Sequence, residues 1–273
     1  MEINMGKIIT VGSQKGGVGK TTTTLNLGYS MSRLGQKVLI IDGDPQGGMA
    51  IASNLKRRTT LGLVNLLRDD LTPEEVIVPA KDETLAVLGS GAQEPEDALL
   101  FESEARKGNL GKTIRSVSKG YDYVFIDSPA GTGSIVTMLM AASNSIIMPV
   151  NCRTIALKTL PYFLKLTRKI RQGLNPDLRI EGVLFTMFSN SNPSDIKIYE
   201  EIKKIFPLPV IFKAVIPLDE HFEAANANGM PVAMLPGVEE AARSYMDLAM
   251  ELKVRELQDK ARGISDEHTE GLF

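Results

Sequence analysis

With 273 residues, 43% of them hydrophobic and 23% charged, the chain is long enough for one large α/β domain or two small ones, either with an adequate core. A formal net charge of -2 gives the molecule no bulk attraction for nucleic acid, so any binding to DNA must come from a local patch. The single Cys152 excludes a disulfide framework or a multi-cysteine iron–sulfur cluster, Met1 to Lys7 does not read as a signal peptide, and no run is long enough to cross a bilayer.

Ile8-Ile9-Thr10-Val11 reads as a buried strand, and Thr23 to Tyr29 has the apolar spacing of a helix. Between them lies Gln14-Lys15-Gly16-Gly17-Val18-Gly19-Lys20-Thr21-Thr22. A glycine-rich loop between strand and helix turns successive backbone N–H groups inward at the positive end of the helix dipole, where they cradle phosphate oxygens. Lys20 is placed to reach the outer phosphates as a point charge, and the Thr21 hydroxyl to ligate magnesium. The strict form of this loop has glycine where Gln14 stands, and here a second lysine, Lys15, follows.

That departure resembles the deviant Walker A loop, Lys-Gly-Gly-x-Gly-Lys-Thr, of the ParA/MinD family of dimeric ATPases. The resemblance implies ATP and Mg2+ bound along Lys15, Gly16, Gly17, Val18, Gly19, Lys20, Thr21 and Thr22. It also implies a homodimer in the ATP-bound state, with Lys15 reaching the other subunit's phosphates in the role an arginine finger has elsewhere.

Lys37 to Ile41 reads as a second parallel strand ending in Asp42-Gly43-Asp44-Pro45-Gln46-Gly47. By composition this could be an ordinary acidic turn; by the resemblance, Asp44 orients the attacking water and Asp42 lies nearer the magnesium shell. Met49 to Arg68 is helical in character, with Leu61, Val64 and Leu67 at core spacing and Arg57 and Arg58 exposed. Thr72-Pro73-Glu74-Glu75 is a helix start, and Leu85 to Leu88 a third strand. Gly89 to Gly108 is read as a loop followed by a helix that carries on to Val117.

Tyr121 to Asp127 is an apolar strand ending in aspartate, the Walker B pattern, which gives Asp127 the task of holding magnesium, usually through a water. The sequel Ser128-Pro129-Ala130-Gly131 looks like the MinD branch and reads as a switch that senses the γ-phosphate. Ser145 to Val150 is the next strand. The helix Ile155 to Gln172 carries Lys158, Lys165, Arg168, Lys169 and Arg171, a cluster that could touch DNA phosphates or be a solvated face, and Pro161 inside it predicts a kink or a helix start.

Ile180 to Thr186 is a strand, Ser194 to Ile205 a helix and Ile211 to Ile216 the last strand. This alternation indicates an α/β fold, a single doubly wound, mainly parallel sheet flanked by helices. In the stretch Ile216 to Val232, Pro217 and Asp219 match the family loop that lines the nucleotide base, while Leu218 and His221 stand where chromosomal partition ATPases carry DNA-binding arginines. Val238 to Ala261 is a long helix with Ala241, Ala242, Tyr245, Leu248, Ala249 and Leu252 on one stripe. The ATPase domain is taken as 1–262, and 263–273 as a flexible acidic tail without the charge or amphipathicity of a membrane-surface helix.

The residues and the resemblance together imply a cytoplasmic ATPase, associated with the nucleoid if DNA is its matrix, that switches between monomer and dimer. Its expected partners are a stimulating adaptor, ParB-like or a cargo protein, and nonspecific DNA, with no integral membrane association. One alternative is a MinD-type regulator of a membrane or protein surface that binds no DNA. Another is a P-loop ligase or synthetase acting on a small molecule.

Overall fold

Aliphatic and β-branched runs without polar alternation supply the centre of the sheet, as strands covered on both faces require. The computed structural model describes residues 6–49, 60–68, 71–80, 84–206 and 208–262. In chain order the elements are β1 (Lys7–Val11), α1 (Lys20–Arg33), β2 (Val38–Asp42), α2 (Leu63–Leu67), α3 (Pro73–Val76), β3 (Ile77–Pro79) and β4 (Leu85–Leu88). They continue with α4 (Pro95–Lys107), α5 (Asn109–Val117), β5 (Tyr123–Asp127), α6 (Ser134–Ala142), β6 (Ser145–Asn151) and α7 (Thr154–Gly173). The last are β7 (Arg179–Phe188), α8 (Pro193–Ile205), β8 (Ile211–Pro217), α9 (His221–Asn228) and α10 (Glu239–Arg262).

The strands form one eight-stranded sheet in the order β3-β4-β2-β5-β1-β6-β7-β8. Every pairing is parallel except that of the short edge strand β3 with β4. Consecutive parallel strands need crossovers, and helices on both faces provide them. On one face, α1 and α10 bury Leu27, Met31, Tyr245, Leu248 and Leu252 against β1, β2 and β5. Each such apolar side chain removed from water stabilises by about 1.5–3 kcal/mol. Thr23 and Tyr245 share a hydroxyl contact of 3.2 Å, which ties α10 to the helix after the glycine loop.

The long last helix also guards an open edge. Glu251 of α10 accepts hydrogen bonds from the backbone N–H groups of Lys213 and Ala214 on β8, and Arg255 donates to the carbonyls of Ile211 and Glu181. Side chains thus take groups that would otherwise template another strand.

Three expectations change. Leu61 is 43% exposed rather than at core spacing, because the chain is extended at Gly62 and the helix that follows begins at Leu63. A Cβ on Gly62 would lie 2.2 Å from the Gly89 carbonyl oxygen, so this close backbone crossing needs glycine. The segment before Val117 is two helices, split at Gly108 with φ 82°, and its loop is confined to 89–94. Pro161 does not start a helix: α7 begins at Thr154 and runs through it, with the ring on the exposed side. Arg57, Arg58 and the tail 263–273 lie outside the described residues, and no described helix is long and apolar enough to cross a membrane.

Candidate functional site

The glycine loop joins β1 to α1 at the centre of the sheet. Gly17 and Gly19 have φ of 69° and 82°, in the left-handed region that glycine tolerates. Gly19 caps α1 and offers no side-chain acceptor, so the first N–H groups of the helix remain for a ligand. The loop is braced from three strands. Thr186 of β7 donates to the Val18 carbonyl at 3.0 Å, the Gly12 N–H bonds the Ile147 carbonyl of β6 at 3.0 Å, and Ser128 after β5 donates to the Val11 carbonyl at 3.0 Å.

Parallel register sets Asp42, at the end of β2, beside Asp127, at the end of β5. Thr21 donates to Oδ2 of Asp127 at 2.6 Å, while Oδ1 of Asp127 is buried with no hydrogen-bond partner among the described residues. Burial pushes the Asp127 carboxyl up to about 7, against the pull of the Thr21 hydrogen bond and the Lys20 charge. Asp42 is wholly buried, and its two oxygens accept the N–H groups of Asp44 at 3.2 Å and Met49 at 3.1 Å. Burial, with the neighbouring Asp127 charge, raises it well above the usual carboxylate range. Asp42 therefore shapes the loop 42–49 and stands behind Asp127. Asp44 is half-buried and accepts the Gln46 N–H at 2.9 Å, which fixes the turn that presents it.

Lys20 is 8% exposed, and its ammonium reaches the Lys15 carbonyl at 3.4 Å. Burial lowers its pKa, opposed by the charges of Asp127 and Asp44. A polyanion placed on the loop would complete that charge balance. The donor set also suits magnesium: a hydroxyl, one carboxylate oxygen without a partner, and space for phosphate oxygens. Among the described residues no three His, Cys, Asp or Glu are grouped so that they could hold a metal by themselves.

The tertiary structure thus brings Lys15, Lys20, Thr21, Asp42, Asp44 and Asp127 to one end of the central strands, where doubly wound sheets bind ligands. Pro217 and Asp219 lie apart, at the end of β8, where Pro217 pairs with Phe188 of β7 and Asp219 accepts the His221 N–H at 2.9 Å. Nδ1 of His221 lies 2.6 Å from the Asp219 carboxylate, within hydrogen-bond distance. On α7, Lys158, Lys165, Arg168 and Lys169 are exposed, whereas Arg171 is half-buried and engaged by a neighbour. Two residues beside the loop carry no sequence signal. Met187, the penultimate residue of β7, has φ 52°, a bulky side chain in the left-handed region, and Asn151 closes β6 with an unpaired buried oxygen.

A protein-family model described as an AAA domain matches residues 6–180. The sporulation initiation inhibitor protein Soj of Bacillus subtilis is 35% identical over 250 residues, which cover 91% of this chain and 98% of Soj. Among solved structures, the cell division ATPase MinD of Pyrococcus furiosus superposes with a TM-score of 0.77 at 24% identity, over 92% of this chain and 99% of MinD. The cobyrinic acid a,c-diamide synthase of Mycobacterium smegmatis, solved with an ATP analogue and magnesium, superposes with a TM-score of 0.75 at 24% identity, over 95% and 97% of the two chains. At those identities the structural matches speak for the fold alone. A synthase shares that fold, so the weight for function falls on the relation to Soj.

Proposed function

The chain belongs to the ParA/MinD family of P-loop ATPases, and from that premise we propose that it is an ATP-gated dimerisation switch that partitions DNA or positions an intracellular cargo. The observation that carries this reading is the buried Thr21–Asp127 contact beneath a glycine loop with two lysines, one of which, Lys20, already faces the carboxylates. The other, Lys15, has an ammonium with no partner among the described residues.

Backbone N–H groups from Gly16 to Thr22 and the Lys20 ammonium bind the phosphates of ATP. Thr21 and the Oδ1 atom of Asp127 would hold Mg2+, with Asp42 in the shell behind. When bound, that ion neutralises charge between the β- and γ-phosphates. Asp44 orients a water whose oxygen bonds the γ-phosphorus as the bond to the β–γ bridging oxygen breaks, giving ADP and phosphate. Lys15 of each subunit stabilises the charge that develops on the transferring group in the other. Pro217 and Asp219 line the base.

Closure holds only while ATP survives, so the switch needs slow intrinsic hydrolysis and an adaptor, ParB-like or a cargo protein, that speeds it. Lys158, Lys165, Arg168 and Lys169 are the proposed contacts to nonspecific DNA, with Arg171 the least available of the cluster. The likeness over nearly the whole chain to the chromosome partitioning protein ParA of Myxococcus xanthus, 30% identical over 260 residues, supports the partition reading over that of a small-molecule synthetase.

Retention of the Asp44→Ala protein on nonspecific double-stranded DNA, with ATP against ADP across a salt series, tests this. ATP-dependent retention that falls steeply with salt is expected. A variant that stays monomeric when saturated with ATP removes the switch. One that dimerises yet ignores DNA moves the matrix to a membrane or protein surface.

A further inference from the structure

A narrow cleft runs beside the glycine loop, between it and the β6–α7 connection. Gln14, Lys15, Asn151 and Thr159 line it, over an apolar floor that includes Leu160 and Phe163. Asn151 is 8% exposed, and its Oδ1 accepts no hydrogen bond among the described residues; the buried Oε1 of Gln14 likewise accepts none. Buried polar atoms in folded proteins are paired in nine cases out of ten or more, so two orphans in one cleft mark a place where an outside donor can be satisfied.

The chemistry of these atoms narrows what that partner is. Amide oxygens accept, so the phosphates of ATP, which also accept, cannot satisfy them. The proposed base site lies elsewhere, at the end of β8. A donor is needed, and the cleft shares its wall with Lys15, the residue proposed to cross to a second copy, which places a donor-bearing protein surface beside it.

We infer that in the ATP-bound dimer, hydrogen-bond donors of a second copy of this chain close the cleft and satisfy Gln14 and Asn151, which makes the two amides a dimerisation latch. This rests on the face-to-face dimer proposed above. Two-fold symmetry repeats the latch, so each closed dimer pairs four oxygens that are orphaned in free subunits. Part of the preference for closure is therefore built into the protein face and adds to what the nucleotide contributes. A subunit without the latch binds ATP as before but dimerises less.

The test uses apolar near-isosteres, Asn151→Leu and separately Gln14→Met, each in the Asp44→Ala background with ATP and magnesium. Replacing an orphaned acceptor by a group of similar shape leaves the free subunit at least as stable, whereas the dimer loses a satisfied bond. Sedimentation equilibrium should show the dimer Kd raised by about tenfold or more for each variant. For Asn151→Leu, ATP affinity should be unchanged and the Tm of the nucleotide-free protein unchanged or higher, which a merely structural role would not give. Variants that dimerise as tightly as their Asp44→Ala parent overturn the latch alone. A parent that stays monomeric with ATP bound overturns the dimer and the latch together.

Discussion

The two halves of the sheet are built from similar buried strands and differ in what their ends carry. On one side β1, β2 and β5 end in the glycine loop, Asp42 and Asp127, and backbone register alone brings these groups together. On the other side β6 ends in Asn151, β7 in Phe188 just after the strained Met187, and β8 in Pro217 before an exposed Leu218. The first set converges on one phosphate site, and each member has its chemistry fixed by its neighbours. The second carries a buried unpaired amide at Asn151 and an exposed apolar side chain at Leu218. The proposed chemistry is thus concentrated at the centre of the sheet, and the proposed contacts to partners lie along its flank.

The strongest way to break this division is Lys15→Ala. If Lys15 belongs to the chemical half, hydrolysis falls by about 100- to 1000-fold, at or below the low end of what a charge-supplying finger contributes, while ATP affinity changes little. Phosphate release and nucleotide titration measure the two; hydrolysis at the parent rate would return Lys15 to the surface.

A smaller effect probes the flank. Replacing Lys158, Lys165 and Lys169 together by glutamine should lower the salt slope of DNA binding by up to about 3, with phosphate release in the absence of DNA unchanged. An unaltered slope would leave α7 a solvated face.

The smallest effect sharpens the chemical half. Asp127 is pushed up to about 7, above its ordinary value, so the folded protein holds a proton there that the unfolded chain releases. Stability of the nucleotide-free protein should therefore fall as pH rises from about 4 through about 7. Magnesium needs the ionised form, so the magnesium-dependent part of stabilisation by ATP should grow over the same rise. Melting curves with and without magnesium at about pH 6 and about pH 8 measure both trends, and Asp127→Asn should flatten them.

The same division shows what could be read before any coordinates. The glycine loop, the aspartates after β2 and β5, and the stripe Ala241 to Leu252 of α10 are local patterns, each legible because strand period, helix period or loop chemistry repeats within a few residues. Leu61 was misplaced because the crossing of Gly62 over Gly89 joins segments distant in sequence. Strand β3 and helix α9 were missed because both are short, and β3 exists only through its pairing with β4.

By itself the sequence determined the α/β alternation, the phosphate-binding loop and the residue types at the catalytic end, since backbone torsions and side-chain chemistry are properties of the chain. Only the tertiary structure decided that Asp42 is spent on its own loop, that Asp127 keeps an unpaired oxygen beside Thr21, and that Gln14 and Asn151 share a cleft. Those outcomes depend on burial and on hydrogen bonds between strands far apart in sequence. No local pattern of residues encodes whether a polar atom, once buried, finds its partner.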